Sequence, residues 1–152
     1  RTRLSLDSFV PFAYLWAKYT PSYPNDDHNH TYPIYIATDD ATVLSRIRSE
    51  WTFLSAGRIR SRHNTLRSTN DTEPIFNVFS QNRHRANAEA LVEIYAMARC
   101  DYFVYGYSAM AEAVLYNAWD KLQNRSYCPD MNPKQFSMDK LEADLKEDFV
   151  LR

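Results

Sequence analysis

The densest hydrophobic patterning lies in residues 86–119, ANAEALVEIYAMARCDYFVYGYSAMAEAVLYNAW, where three elements follow one another with almost no connecting residues. Leu91, Ile94, Tyr95 and Ala98 recur at helical spacing, Arg99 sits in the last turn where a cation suits the dipole, and Asp101 marks the exit. Tyr102 to Tyr105 is a short apolar run, the mark of a strand covered on both faces. Gly106 ends that strand and Ser108 stands where the next helix, Ala109 to Trp119, needs an N-cap.

Upstream, residues 5–20 carry apolar positions at Phe9, Phe12, Ala13, Trp16 and Tyr19, with Asp7 or Ser8 as a start signal and Pro11 near the first turn. Pro21, Pro24 and the polar run Asn25 to His30 break this helix and predict an exposed loop. Pro33 to Ala37 predicts a strand, Thr42 to Glu50 a helix and Trp51 to Leu54 a second strand. Between Ser55 and Arg85 periodicity is weak and cations are dense: Arg58, Arg60, Arg62, His63, Arg67, Arg83, His84 and Arg85. A connection this long in a compact domain is usually functional or disordered. Pro74 to Phe79 is a short apolar segment with no assigned place. Beyond Trp119, Lys121 to Pro133 predicts a loop, and Ser137 to Lys146 a helix capped by Ser137 with Met138, Leu141 and Leu145 on one face. Phe149 to Leu151 forms an apolar tail.

The alternation of strands and helices predicts an α/β fold, and 152 residues at 45% hydrophobic content predict one domain with one core. A net charge of -1 argues against general nucleic-acid binding. The chain has no apolar run long enough to span a membrane and no signal-peptide pattern. It begins at Arg1 rather than Met, which predicts a piece of a longer protein. Cys100 and Cys128 could pair, although Cys100, at a helix end beside a strand, reads more simply as a small apolar residue. Sequons at Asn29, Asn70 and Asn124 fall in segments read as loops and point toward a secretory lumen, although ten asparagines make one or more sequons expected by chance.

With two glycines in the chain, neither a dinucleotide-binding glycine motif nor a P-loop can be written, and no G-x-S-x-G, H-E-x-x-H or C-x-x-C motif occurs. The run Asp26, Asp27, His28 and His30 holds metal-ligand types, but adjacent ligands on a solvated loop lack the spaced support of a metal site, and no metal is expected. What remains is a corner where a strand feeds a helix N-terminus at Ser108, the place where open α/β sheets favour anions. Most such serines only cap their helix. Asp39 and Asp40, at the end of the first strand, are either ordinary N-terminal stabilisers or acceptors for the donors of a base or ribose. The arginines of 55–85 would suit the phosphates of a sugar nucleotide, while each taken singly reads as solvated.

Ala90 to Met110, ALVEIYAMARCDYFVYGYSAM, resembles the C-terminal segment of the α1,6-fucosyltransferase and nodulation-fucosyltransferase group, and Ile34 to Asp40, IYIATDD, is similar to that group's V-Y-x-A-T-D-D. The resemblance spans roughly residues 5–120 and is shared in part with protein O-fucosyltransferases and other GT-B enzymes. It implies a Rossmann-like three-layer parallel sheet, the C-terminal half of a GT-B fold. The activity it implies is metal-independent, inverting transfer of fucose from GDP-fucose to a glycan or glycoprotein acceptor, without a cofactor, in the Golgi lumen or secretory pathway. Residue by residue it implies that Asp39 and Asp40 lie near the nucleotide, Glu93 faces the guanine edge and Ser108 lies under the phosphates. Glu93 departs from the usual aspartate, and Ala109 replaces a usual second serine. The group's His-x-Arg-Arg motif, with its main catalytic arginine, would fall before Arg1; Arg1 and Arg3 do not reproduce it, so this chain alone is expected to be inactive. The alternatives are a GT-B enzyme using another sugar nucleotide and a degenerate, non-catalytic binding module.

Overall fold

Two β-helix-β units and the helices packed on them make up the residues described by the computed structural model, 5–20, 32–63, 83–129 and 134–151. In the first unit, β1 (Ile34–Tyr35) runs into α2 (Ala41–Glu50) and returns as β2 (Ile59–Arg60), parallel to β1 with Ile34 opposite Ile59. The second unit runs from β3 (Phe103–Val104) through α4 (Ala109–Asn117) and the short α5 (Trp119–Leu122) to β4 (Ser126–Tyr127), with Phe103 opposite Ser126, again parallel. Parallel pairing requires a crossover of this kind, because a tight turn can join only antiparallel strands. Helix α3 (Arg83–Ala98) links the two units; α1 (Val10–Tyr19), after a 3₁₀ turn at Leu6–Ser8, precedes them, and α6 (Lys134–Phe149) follows.

Among the described residues there are three apolar clusters, and helix α1 joins two of them because it is apolar on two faces. Ala13, with Val10 and Ala17, packs on Ile47, Trp51, Leu54 and Ile59, which hold α2 against β1 and β2. Phe12 and Leu15 face Tyr127, Leu141 and Leu145, and so seat α6 on β4. In the third cluster Phe103, Ala111, Val114 and Leu122 meet Ile94, Met97 and Ala98, which fixes α3 across β3 and α4.

The predicted helix at Thr42–Glu50 and strand at Tyr102–Tyr105 correspond to α2 and β3. The predicted strand at Trp51–Leu54 is a turn instead, in which Leu54 N–H donates to Trp51 O at 3.1 Å. Trp51 and Leu54 are both buried, so the run is apolar by turn spacing and not by alternation. The second strand is Ile59–Arg60, hidden within the cationic stretch because only Ile59 faces the core. Lys121–Pro133 is not all loop, since it holds the end of α5 and β4. Ser137 does not cap α6, which begins at Lys134; Ser137 is buried within its first turns. Phe149 ends α6 and meets Tyr32 edge-on at 4.9 Å, whereas Val150 and Leu151 are exposed. The stripe that α3 buries is also rotated from the predicted one. Leu91 and Tyr95 face solvent, and Ala86, Glu89 and Glu93 are buried in their place.

Both cysteines are free; Cys128 is buried and Cys100 half-buried. The loop with His28 and His30, the sequons at Asn29 and Asn70, Arg67, the segment Pro74–Phe79, and Arg1 and Arg3 lie outside the described residues. Asn124 lies in an exposed turn before β4. Among the described residues no helix is long and apolar enough to cross a membrane.

Candidate functional site

Two carboxylates one turn apart on α3, Glu89 and Glu93, are 8% and 5% exposed, on the stripe where a helix normally presents apolar residues. Such burial of a carboxylate is rare unless the group is paired. For Glu89 the partner is on its own helix: Arg85 Nε lies 2.8 Å from its Oε1 at i,i+4 spacing. Arg62, which follows β2, donates from Nη1 to the Glu89 backbone carbonyl at 3.3 Å. The exit of β2 is thereby fastened to α3.

Glu93 is held differently. The phenol of Tyr35, the last residue of β1, donates to Glu93 Oε2 at 2.6 Å. Its other oxygen, Oε1, is buried and has no hydrogen-bond partner among the described residues. The backbone of Tyr35 is fixed by the strand ladder, where Ile36 N–H donates to Arg60 O at 2.8 Å. The exit of β1 therefore reaches the Glu93 carboxylate, and the exit of β2 the Glu89 backbone carbonyl, both on α3.

Just beyond Tyr35, the half-buried Asp39 and Asp40 lead into α2. Asp40 is the helix N-cap: its Oδ1 accepts from Thr42 N–H at 2.8 Å and from the Thr42 hydroxyl at 2.7 Å. Its own N–H donates to Thr38 Oγ1 at 3.1 Å. Ser108, in the second unit, caps α4 in the same manner, with Oγ accepting from Ala111 N–H at 3.1 Å. Tyr35 thus brings the β1 exit and Glu93 together, while Ser108 stands at the exit of β3.

The cations of the 55–85 stretch divide among several roles. Arg58 is 3% exposed and is used inside the fold. Its Nε and Nη2 donate to Tyr32 O at 3.2 and 3.1 Å, and Nη2 also donates to the Thr20 hydroxyl. These acceptors are neutral, and burial pulls the guanidinium below its ordinary pKa. Arg60, in β2, and His63, just after it, are exposed, and Arg83 and His84 are exposed in the first turn of α3. Among the described residues, no group of three or more His, Cys, Asp or Glu side chains could hold a metal ion.

Tyr35 and Glu89 are the members of this arrangement that sequence reasoning passed over. The signal for Glu89 was available, since Ala86, Glu89, Glu93 and Met97 share helical spacing. For Tyr35 no local signal exists, because its partner lies across the fold.

Comparison of the chain with protein-family models, curated proteins and solved structures finds no match.

Proposed function

We propose that the chain forms the donor-nucleotide side of an α1,6-fucosyltransferase-like GT-B glycosyltransferase, with Glu93 taking the base of GDP-fucose for transfer to a glycan or glycoprotein acceptor. The observation that carries the reading is Glu93 Oε1, a carboxylate oxygen buried without a donor. An ionised carboxylate only accepts hydrogen bonds, and leaving one of its oxygens dry and unpaired is costly. Guanine presents N1–H and N2–H side by side on one edge, a donor pair that a carboxylate can accept in bidentate fashion. Uracil offers a single N–H on that edge, and adenine an amino group beside an acceptor nitrogen.

In this reading the two β-helix-β units belong to a Rossmann-like three-layer sheet. Asp39 and Asp40 at the exit of β1, and Ser108 at the exit of β3, stand at strand carboxyl ends, the edge where open α/β sheets take ligands. Charge growing on the departing diphosphate is neutralised by arginine and a helix N-terminus rather than by a metal. Because Oε1 is closed to water, the base reaches it only when the surface over Glu93 opens.

The test is thermal unfolding of the chain with GDP, UDP or ADP, since a ligand that binds only the folded state raises the midpoint by mass action. A rise selective for GDP and abolished by Glu93→Ala is the expected result. Equal rises with the three nucleotides, or none with any, overturn the proposal.

A further inference from the structure

The hydrogen bond between Tyr35 and Glu93 leaves the two carboxylate oxygens unlike. Oε2 is engaged at 2.6 Å by a phenol anchored on a strand, and Oε1 is buried and unpartnered. Glutamate has three rotatable side-chain bonds, and fixing them costs conformational entropy. Here a donor from β1 fixes them before any ligand arrives, because the Tyr35 backbone is held in register against Arg60. We infer that Tyr35 is a specificity-determining positioning residue: it orients the Glu93 carboxylate so that a purine edge with two adjacent donors is preferred over one with a single donor. The inference rests on the reading that Glu93 holds the base.

The mechanism is preorganisation. A pinned carboxylate presents its plane in one orientation, and two parallel N–H donors match that plane. Without the pin, the carboxylate turns to favour whichever single contact a ligand offers, and the second donor loses its advantage. Tyr35→Phe removes the hydroxyl that donates to Glu93 and keeps the ring of this half-buried side chain.

The experiment compares GDP with inosine 5′-diphosphate, which is the same molecule without the N2 amino group, by calorimetric titration of the wild-type chain and of Tyr35→Phe. Ligand-free thermal unfolding of both proteins is run alongside. The wild type is expected to prefer GDP by about tenfold, the value of one hydrogen bond to a charged group. Tyr35→Phe is expected to bring that ratio to within about twofold of unity while remaining folded. A Tyr35→Phe chain that binds with the wild-type ratio overturns the inference and leaves the base-binding reading standing. A wild-type chain that binds neither nucleotide overturns both.

Discussion

The phenol of Tyr127, on β4, donates to Asp144, on α6, at 2.5 Å. Tyr127 is 1% exposed, and Lys140 Nζ, 3.0 Å from the same carboxylate, lies over the Tyr127 ring at 4.7 Å. Tyr102 makes the parallel contact with Asp148, which Arg125 meets at 2.5 Å. Two tyrosines, one on β4 and one just before β3, are thus fastened to two acids one turn apart on α6. Burial foremost, and then the carboxylate acceptor, pushes both phenols above their ordinary range.

From this follows an alkaline instability. An unfolded tyrosine ionises near pH 10, whereas both folded phenols are held neutral well beyond it. Their contribution is fully present below about pH 10 and is lost as pH rises above it. Denaturant unfolding followed between pH 8 and 11 is expected to show stability falling above about pH 10. Tyr127→Phe is expected to lose about 1–3 kcal/mol at neutral pH and to reduce that slope. An unchanged slope would mean that Tyr127 ionises alike in the folded and unfolded states.

At the acid end the sign reverses. Glu142 accepts from the Tyr19 hydroxyl and lies 3.3 Å from Lys146 and 3.4 Å from Lys18. The Tyr19 hydrogen bond first, and Lys146 next, hold its carboxyl down to about 2. Its contribution is therefore complete above the ordinary carboxylate range and is lost as pH falls toward 2. Glu142→Gln is expected to flatten the acid limb of the stability curve, measured by thermal unfolding between pH 5 and 2. A limb as steep as that of the wild type would remove Glu142 from the account.

The core offers a contrast of two leucines. Leu145 is completely buried against Phe12, Leu15 and Tyr127, while Leu91 is 55% exposed on α3. Leu145→Ala is expected to cost about 2–5 kcal/mol through lost transfer energy and the cavity left behind. Leu91→Ala is expected to stay within about 0.5 kcal/mol, measured by the same denaturant titration. A large loss at Leu91 would restore the helical face that the sequence predicted.

Leu91 shows why the sequence was legible in some places and not in others. Helix existence was readable from apolar spacing at α1, α2 and α4, and the caps Asp40 and Ser108 were readable because capping is local chemistry. The orientation of α3 was not, because its inner stripe carries Glu89 and Glu93 while Leu91 and Tyr95 lie outside, so hydrophobicity alone pointed to the wrong face. Its start was obscured as well. Arg83 and Arg85 place cations at a helix N-terminus, against the dipole, and the pairing of Arg85 with Glu89 offsets that only in the folded chain. Strands of two residues give no periodicity to read, so β2 and β4 emerged only through their partners Ile34 and Phe103. The family resemblance points to Glu93, but its hydrogen bond to Tyr35 joins residues 58 apart in sequence, and no local pattern encodes that.

Asp40 separates a structural role from a ligand role at a single position. Its Oδ1 takes both the Thr42 amide and the Thr42 hydroxyl, so the capping bonds use an oxygen that asparagine also possesses. Asp40→Ala is expected to cost about 1 kcal/mol of stability, and Asp40→Asn much less, because asparagine caps nearly as well. A negative charge, by contrast, cannot be replaced by an amide. If Asp40 only caps α2, Asp40→Asn will bind GDP like the wild type, with an unchanged midpoint shift in thermal unfolding. If its charge also receives donors from the nucleotide, Asp40→Asn will keep its ligand-free midpoint and lose most of the GDP shift. Stability and binding then part at this residue, and a capping role alone cannot produce that separation.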